Sequence, residues 1–239
     1  MRFIVCVCAL LVTLSGHAAT EVVIGSALNR PPYILEDSES GLELEIVRAA
    51  LKASGFDARF KFYSQKRLQL YYMKDRIEAA MSVNAAAGLS GYPSDYYIYY
   101  QDVAVTLASR QLTFSELNQL QGYSLVAYEG AQYMLGETFQ RLSNKTIYRE
   151  VDPQELQNRM LYLGRIDVAV ADKYVFLANN KFVGPDIDST QPLQFHEVFP
   201  RTPYRVMFHN SVVRDAFNRG LAEIRKNGEY DRLVKQFLN

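Results

Sequence analysis

The stretch 21–83, EVVIGSALNRPPYILEDSESGLELEIVRAALKASGFDARFKFYSQKRLQLYYMKDRIEAAMSV, decides the fold. Its apolar pattern alternates between short β-rich runs and helical periodicity. Residues 21–26, 58–63 and 77–83 read as strands. Residues 41–54 read as a helix, with Leu44, Val47 and Leu51 on one apolar stripe and Glu43, Glu45, Arg48 and Lys52 facing water. Gly55 ends that helix, and 65–74 forms a second. A βαβαβ order predicts a mostly parallel sheet with helices on its faces.

Beyond Tyr100 the pattern starts again. Strands are predicted at 103–108, 123–128, 146–151, 166–171 and 204–208. Helices are predicted at 113–120, where Thr113 and Glu116 are spaced as a capping box, at 130–142, after Pro153 in that helix's first turn, and at 173–179. Two more, 212–226 and 229–238, close the chain and are free to return to the first unit. Two α/β units joined by two crossings leave a cleft between them, a favoured place for small ligands. The expected fold class is therefore α/β, with two Rossmann-like lobes, a double hinge and a ligand cleft.

Upstream, residues 1–19, MRFIVCVCALLVTLSGHAA, read as an export signal: Arg2 is the charged start, 3–14 the apolar run, and 15–19 the small residues for cleavage. The run is too short to span a bilayer. No Cys follows it for lipidation, and both cysteines, Cys6 and Cys8, lie inside it. The mature chain is expected to start near Thr20, without disulfide or lipid anchor. The chain has 26 basic and 26 acidic residues, and losing Arg2 leaves one extra acid. That balance argues against nucleic acid or anionic membrane as partner. Three scattered histidines, 17, 196 and 209, argue against a metal site or a catalytic triad, and no cofactor is expected.

Several motifs, in order along the chain, resemble the periplasmic solute-binding proteins of polar amino-acid ABC transporters (family 3, type II periplasmic binding fold). Pro31-Pro32-Tyr33 resembles that family's P-[FY], and 41–46, GLELEI, its G-[FY]-D-[VI]-D-L. Residues 64–78 resemble S-W-x-x-L-[IL]-P-A-L-x-x-G-x-[IV]-D. Asp95-Tyr96 stands at its D-F and Tyr99-Tyr100 at its P-Y-Y. Residues 164–172, GRIDVAVAD, fit G-[RK]-[VA]-D-A-x-x-x-D, and 227–230, NGEY, fit N-G-T-Y. The resemblance implies lobes at 20–101 plus 206–239 and at 102–205. It also implies a monomer, free in the periplasm, that hands a small solute to a membrane permease. A sensor working through a membrane receptor is the alternative. A dehydratase of the cyclohexadienyl type, drawing on Glu129 or Asp172 as acid, is a more distant one.

The pocket departs from the family pattern. Where the resemblance expects a carboxylate-binding Arg after the third strand, the loop 83–90, which also holds Asn84, places Ser90, and Ala85 stands where a Thr is expected. Arg30 replaces a stacking aromatic, Gln65 replaces a Trp or Phe, and Gly130-Ala131-Gln132 replaces G-[ST]-[TG]. Asp172 alone is retained, and reads equally as an acceptor for a ligand's ammonium or as a helix cap. The candidate ligand-binding residues are Arg30, Tyr33, Gln65, Arg67, Asn84, Ser90, Tyr100, Tyr128, Gln132 and Asp172. Lys66 and Arg67 open a helix, and 130–132 opens another on the opposite lobe. With Arg30, these features favour an anionic or zwitterionic solute. Idle surface charge is the alternative reading for Arg30, Lys66 and Arg67. The cluster Tyr92, Tyr96, Tyr97, Tyr99, Tyr100 supplies Tyr100 to the cleft and packing elsewhere.

Overall fold

The computed structural model describes residues 20–238; the predicted export signal lies outside them. Among the described residues no helix is long and apolar enough to cross a membrane. The first sheet contains β1 (Thr20–Ala27), β2 (Phe56–Tyr63), β3 (Ala79–Val83), β4 (Tyr92–Pro93), β5 (Ile98–Tyr100) and, from much later in the chain, β11 (Thr202–Phe208). Its order is β2-β1-β3-β11-β4, with β5 also on β11. The second contains β6 (Asp102–Leu107), β7 (Ser124–Tyr128), β8 (Ile147–Val151), β9 (Val168–Asp172) and β10 (Leu193–His196), in the order β10-β6-β9-β7-β8.

Both sheets are mixed rather than mostly parallel. In the first, β1 runs parallel to β2 and β3, and β11 is antiparallel to β3. In the second, β7 is parallel to β8 and β9, and β6 is antiparallel to β9 and β10. The strand that returns across the crossing must enter in the opposite sense, which explains the antiparallel member in each. β11 lies wholly in the first sheet, pairing with β3, β4 and β5.

Helix α1 (Leu42–Ala53) is buried on more than its predicted stripe: Leu42, Glu43, Ile46 and Ala50 are buried alongside Leu44, Val47 and Leu51. Glu43, expected to face water, is fully buried. Glu43 is enclosed by Ser82, Tyr97 and Tyr100, while α7 (Ser211–Lys226), which also touches β11 and β4, packs against α1, and α8 (Glu229–Leu238) packs beside both. Gly220 permits the close approach. A Cβ there would overlap the Ala50 carbonyl and come within 2.9 Å of Ser54 Oγ. Ser54 Oγ in turn donates to the Ala216 carbonyl at 2.6 Å across the same contact. Gly220→Ala is expected to cost about 2 kcal/mol by overpacking and to lower the melting temperature by roughly 5 °C. An unchanged melting curve would show that the helices separate freely.

Three local expectations change. Residues 113–120 form no α-helix; a 3-10 turn covers Leu117–Leu120, with Glu116 before it. Gln119 Oε1 accepts the Ser115 and Glu116 N–H groups, which moves the box three residues along. The helix at 130–142 is broken into α3 (Ala131–Met134) and α4 (Gly136–Ser143), where Gly136 takes positive φ. Pro153 precedes α5 (Glu155–Tyr162) rather than sitting in its first turn. The remaining helices are α2 (Gln65–Met73) and α6 (Lys173–Asn179). His196 is buried against Thr106 and the Phe114 N–H, and His209 stacks on Tyr72, so both serve packing.

Candidate functional site

The chain passes between the sheets at Gln101, after β5, and again at 197–201, before β11. Gln101 joins the two passages: its Nε2 donates to the Phe199 carbonyl at 2.9 Å, and its Oε1 accepts from Arg201 Nε at 3.3 Å. Beside this junction lie two adjoining cavities of about 460 and 570 Å³, which share Arg30, Gln65, Glu129, Gln154 and Val175. The inner one is also lined by Lys66, Tyr100, Asp102, Tyr128, Gly130, Asp172 and Tyr204. The volumes suit a small molecule.

One wall is built from the N-terminus of α1. The loop 30–34 doubles back on it: the Arg30 and Ile34 backbones pair, and the Leu42 and Glu43 N–H groups donate to the Pro32 and Tyr33 carbonyls at 3.1 and 3.0 Å. These bonds satisfy donors that a helix start otherwise leaves open. Gly41 has φ near 112°, and a Cβ there would strike the Tyr33 carbonyl. In the first turn of the helix, the Glu43 carboxylate accepts from Ser82 Oγ at 2.6 Å and from the Tyr97 and Tyr100 hydroxyls. Tyr100 is thereby held flat against Tyr33, with ring centroids 4.1 Å apart, and the Arg30 guanidinium lies 5.7 Å from the Tyr100 ring centre. Burial alone would lower the Arg30 pKa, yet Tyr100 and Glu43 nearby raise it above its usual value, so the cation is permanent.

The opposite wall presents two carboxylates side by side, because Asp102 of β6 pairs with Asp172 of β9 in register. They have different surroundings. Asp172 caps α6, accepting the Tyr174 and Val175 N–H groups at 2.9 and 3.1 Å. It also accepts the Gln101 N–H at 2.9 Å and the Tyr33 hydroxyl at 3.1 Å. Of its two readings from sequence the helix cap is seen here; the residue also lines the inner cavity and ties the first unit to the second. Desolvation still raises its pKa against those bonds. Asp102 is 7% exposed and accepts from the Tyr128 hydroxyl. Burial first, and then Asp172, push its pKa up to about 7, against the pull of Arg30 and Tyr128.

Of the residues expected from sequence, Arg30, Gln65, Tyr100, Tyr128 and Asp172 line the cavities. Tyr33 stands behind the wall, buried against Asp172. Arg67 lines neither cavity, because the helical turn carries it past Gln65 and Lys66 to an exposed face. Ser90 is also outside, its carbonyl taken by the Tyr72 hydroxyl at 2.9 Å. Asn84 lines neither cavity but bonds Tyr204, which lines the inner one. The side chain of Gln132 turns to Ser143 Oγ and Asn144 Oδ1, at 3.0 and 2.9 Å.

The anion site expected at 130–132 is filled from within. Glu150 accepts the Gly130 and Gln132 N–H groups, both at 2.8 Å, and the Tyr148 hydroxyl at 2.8 Å. Burial opposes its ionisation, but these donors outweigh it and hold the Glu150 pKa below the usual range. The cleft therefore offers Arg30 and Lys66 as cations, faced by Asp102, Glu129, Asp152 and Glu155. Asp102 and Tyr204 were not singled out from sequence. The one signal for Asp102 was a carboxylate opening the otherwise apolar run 102–107.

No family profile matches the chain, and no curated protein sequence does. Solved structures do share its fold. An ancestral arginine-binding protein bound to glutamine matches with a TM-score of 0.68 and 20% identity, over 92% of this chain and 99% of that one. The GluR0 ligand-binding core in complex with L-glutamate matches at 0.74 and 12% identity, over 94% and 100%. The arginine-, lysine-, histidine-binding protein ArtJ of Geobacillus stearothermophilus matches at 0.67 and 17%, over 91% and 95%. The chain thus has the two-unit α/β fold of the type II periplasmic binding proteins, as the family resemblance implied.

Proposed function

We propose that this chain is a non-catalytic solute-binding protein of the periplasm, exported by its first 19 residues. Its lobes are 20–101 with 202–239, and 102–201. It holds a small zwitterionic solute between them and delivers it to the permease of an ABC transporter. One observation carries this reading: a fixed cation from the first lobe, Arg30, faces a buried carboxyl from the second, Asp102, across the cavity that both line. Such a pair suits a molecule with an anionic and a cationic end. A dianion fits poorly, since Glu150 already occupies the second lobe's backbone donors. The fold's solved neighbours, among them arginine- and glutamate-bound proteins, support the same reading.

A thermal-shift screen over amino acids, dicarboxylates, opines and small phosphorylated anions tests it, because a bound solute raises the melting temperature by mass action. Zwitterions are expected as the hits. Arg30→Ala is expected to weaken a hit by roughly 10- to 100-fold, the range for losing a charge-assisted bidentate pair, measured by titration calorimetry. Equal affinity in this variant would remove Arg30 from the site. Asp102 also favours a second reading, as the acid of an elimination reaction. Consumption of the solute during the titration would identify it.

A further inference from the structure

We infer that Asp102, rather than Asp172, is the acid that meets the solute's protonated amine, and that Asp102 releases its own proton to solvent as that amine binds. This rests on the solute-binding reading and adds a specificity-determining residue and a proton to it. The two acids stand opposite one another in strand register, so both reach the same wall. Only one has acceptor capacity left. Asp172 receives the Gln101, Tyr174 and Val175 N–H groups and the Tyr33 hydroxyl, all from the protein. A carboxylate has about four lone-pair sites, two on each oxygen: the Tyr174 and Val175 N–H groups take those of Oδ1, and the Gln101 N–H and the Tyr33 hydroxyl, 3.2 Å away, take those of Oδ2. Asp102 receives the Tyr128 hydroxyl and opens onto the inner cavity.

Its charged state is decided by what faces it. From β9 comes the Asp172 carboxylate, from β7 the Tyr128 hydroxyl, from β11 the Tyr204 hydroxyl, and from the loop 30–34 the Arg30 guanidinium. Burial and Asp172 favour the neutral acid; Arg30 and Tyr128 favour the ion. Burial and Asp172 prevail, so that without a solute the neutral acid and the ion are about equally populated near pH 7. A solute carboxylate that pairs with Arg30 takes away part of that cation's pull. An ammonium placed against Asp102 replaces it with a closer charge, and the carboxyl O–H bond breaks, its proton passing to buffer. The solute keeps all of its own protons.

The test uses the twenty L-amino acids, each beside its amine-free carboxylic acid, on the wild-type protein and on Asp102→Asn. For an amino acid that binds, calorimetry in two buffers of different protonation enthalpy at pH 5.5 should count close to one proton released. Wild-type affinity should strengthen about tenfold per pH unit from 5 toward 7 and then level off. Asp102→Asn should release no proton, lose the pH slope, and bind at least tenfold more weakly; Asp102→Glu should restore the slope in part. If amine-free acids bind as tightly as their parents, or Asp102→Asn keeps the slope, the assignment is overturned. The solute-binding reading then still stands on the loss of binding in Arg30→Ala. No response from any amino acid or opine would overturn that reading and the assignment together.

Discussion

Asp102→Asn is expected to be more stable than the wild-type protein at pH 8 and close to it at pH 4. The fold raises the Asp102 pKa to about 7, chiefly by burial. A carboxyl raised in this way contributes stability that is complete below its unfolded value near 3.9 and lost as pH rises through about 7. About three pH units of separation correspond to roughly 4 kcal/mol above pH 7. Asn keeps an acceptor for Tyr128 and carries no charge, so it removes most of that loss. The melting temperature of the variant should exceed wild type by roughly 8–16 °C at pH 8, measured by circular dichroism. Asp172, raised in the same direction, leaves a residual slope in both proteins. A difference between the two that is the same at pH 4 and pH 8 would show that Asp102 is not held neutral by its surroundings.

Glu43→Ala should have the largest destabilising effect. The side chain is 0% exposed and receives the Ser82, Tyr97 and Tyr100 hydroxyls. Removing the carboxylate strands three buried donors at about 1–3 kcal/mol each and opens a cavity besides. A total of roughly 5 kcal/mol is comparable with the whole stability of a small domain. The variant should melt at least 10 °C lower, or fail to fold at 37 °C. Glu43→Gln, which keeps the volume and one acceptor, should fall between the two. Because Tyr100 is positioned by Glu43 and carries Arg30 against its ring, a folded Glu43→Gln should also bind solute more weakly. Melting of Glu43→Ala within 2 °C of wild type would rule out the network as a support of the fold.

The strands and helices of 21–83 were legible because their periodicity is local: each element states its buried face in its own residues. Glu43 was misplaced for the complementary reason. Its carboxylate is enclosed by Ser82, Tyr97 and Tyr100, which come 39 to 57 residues later in the chain. The short strands β4, β5 and β10 carry too few residues to show a period. Gln132 and Glu150 illustrate the same limit at the site. A helix start at 130–132 was readable, but its occupant comes from the neighbouring strand β8.

The sequence by itself determined the order of elements, the two α/β units, the balance of charge and the presence of Arg30 on the loop before α1. These follow from composition and from periodicities that a few consecutive residues carry. Only the tertiary structure decided which groups face the solute with capacity to spare. Asp172 was visible in its motif, yet the Tyr33 hydroxyl and the Gln101 N–H, brought from the other side of the junction, help fill its acceptors. Asp102 had no motif, yet the β6–β9 register buries it beside Asp172 and opposite Arg30. The reason is physical: the protonation and free valence of a buried carboxyl depend on every donor and charge within a few ångströms, and those arrive from anywhere in the chain.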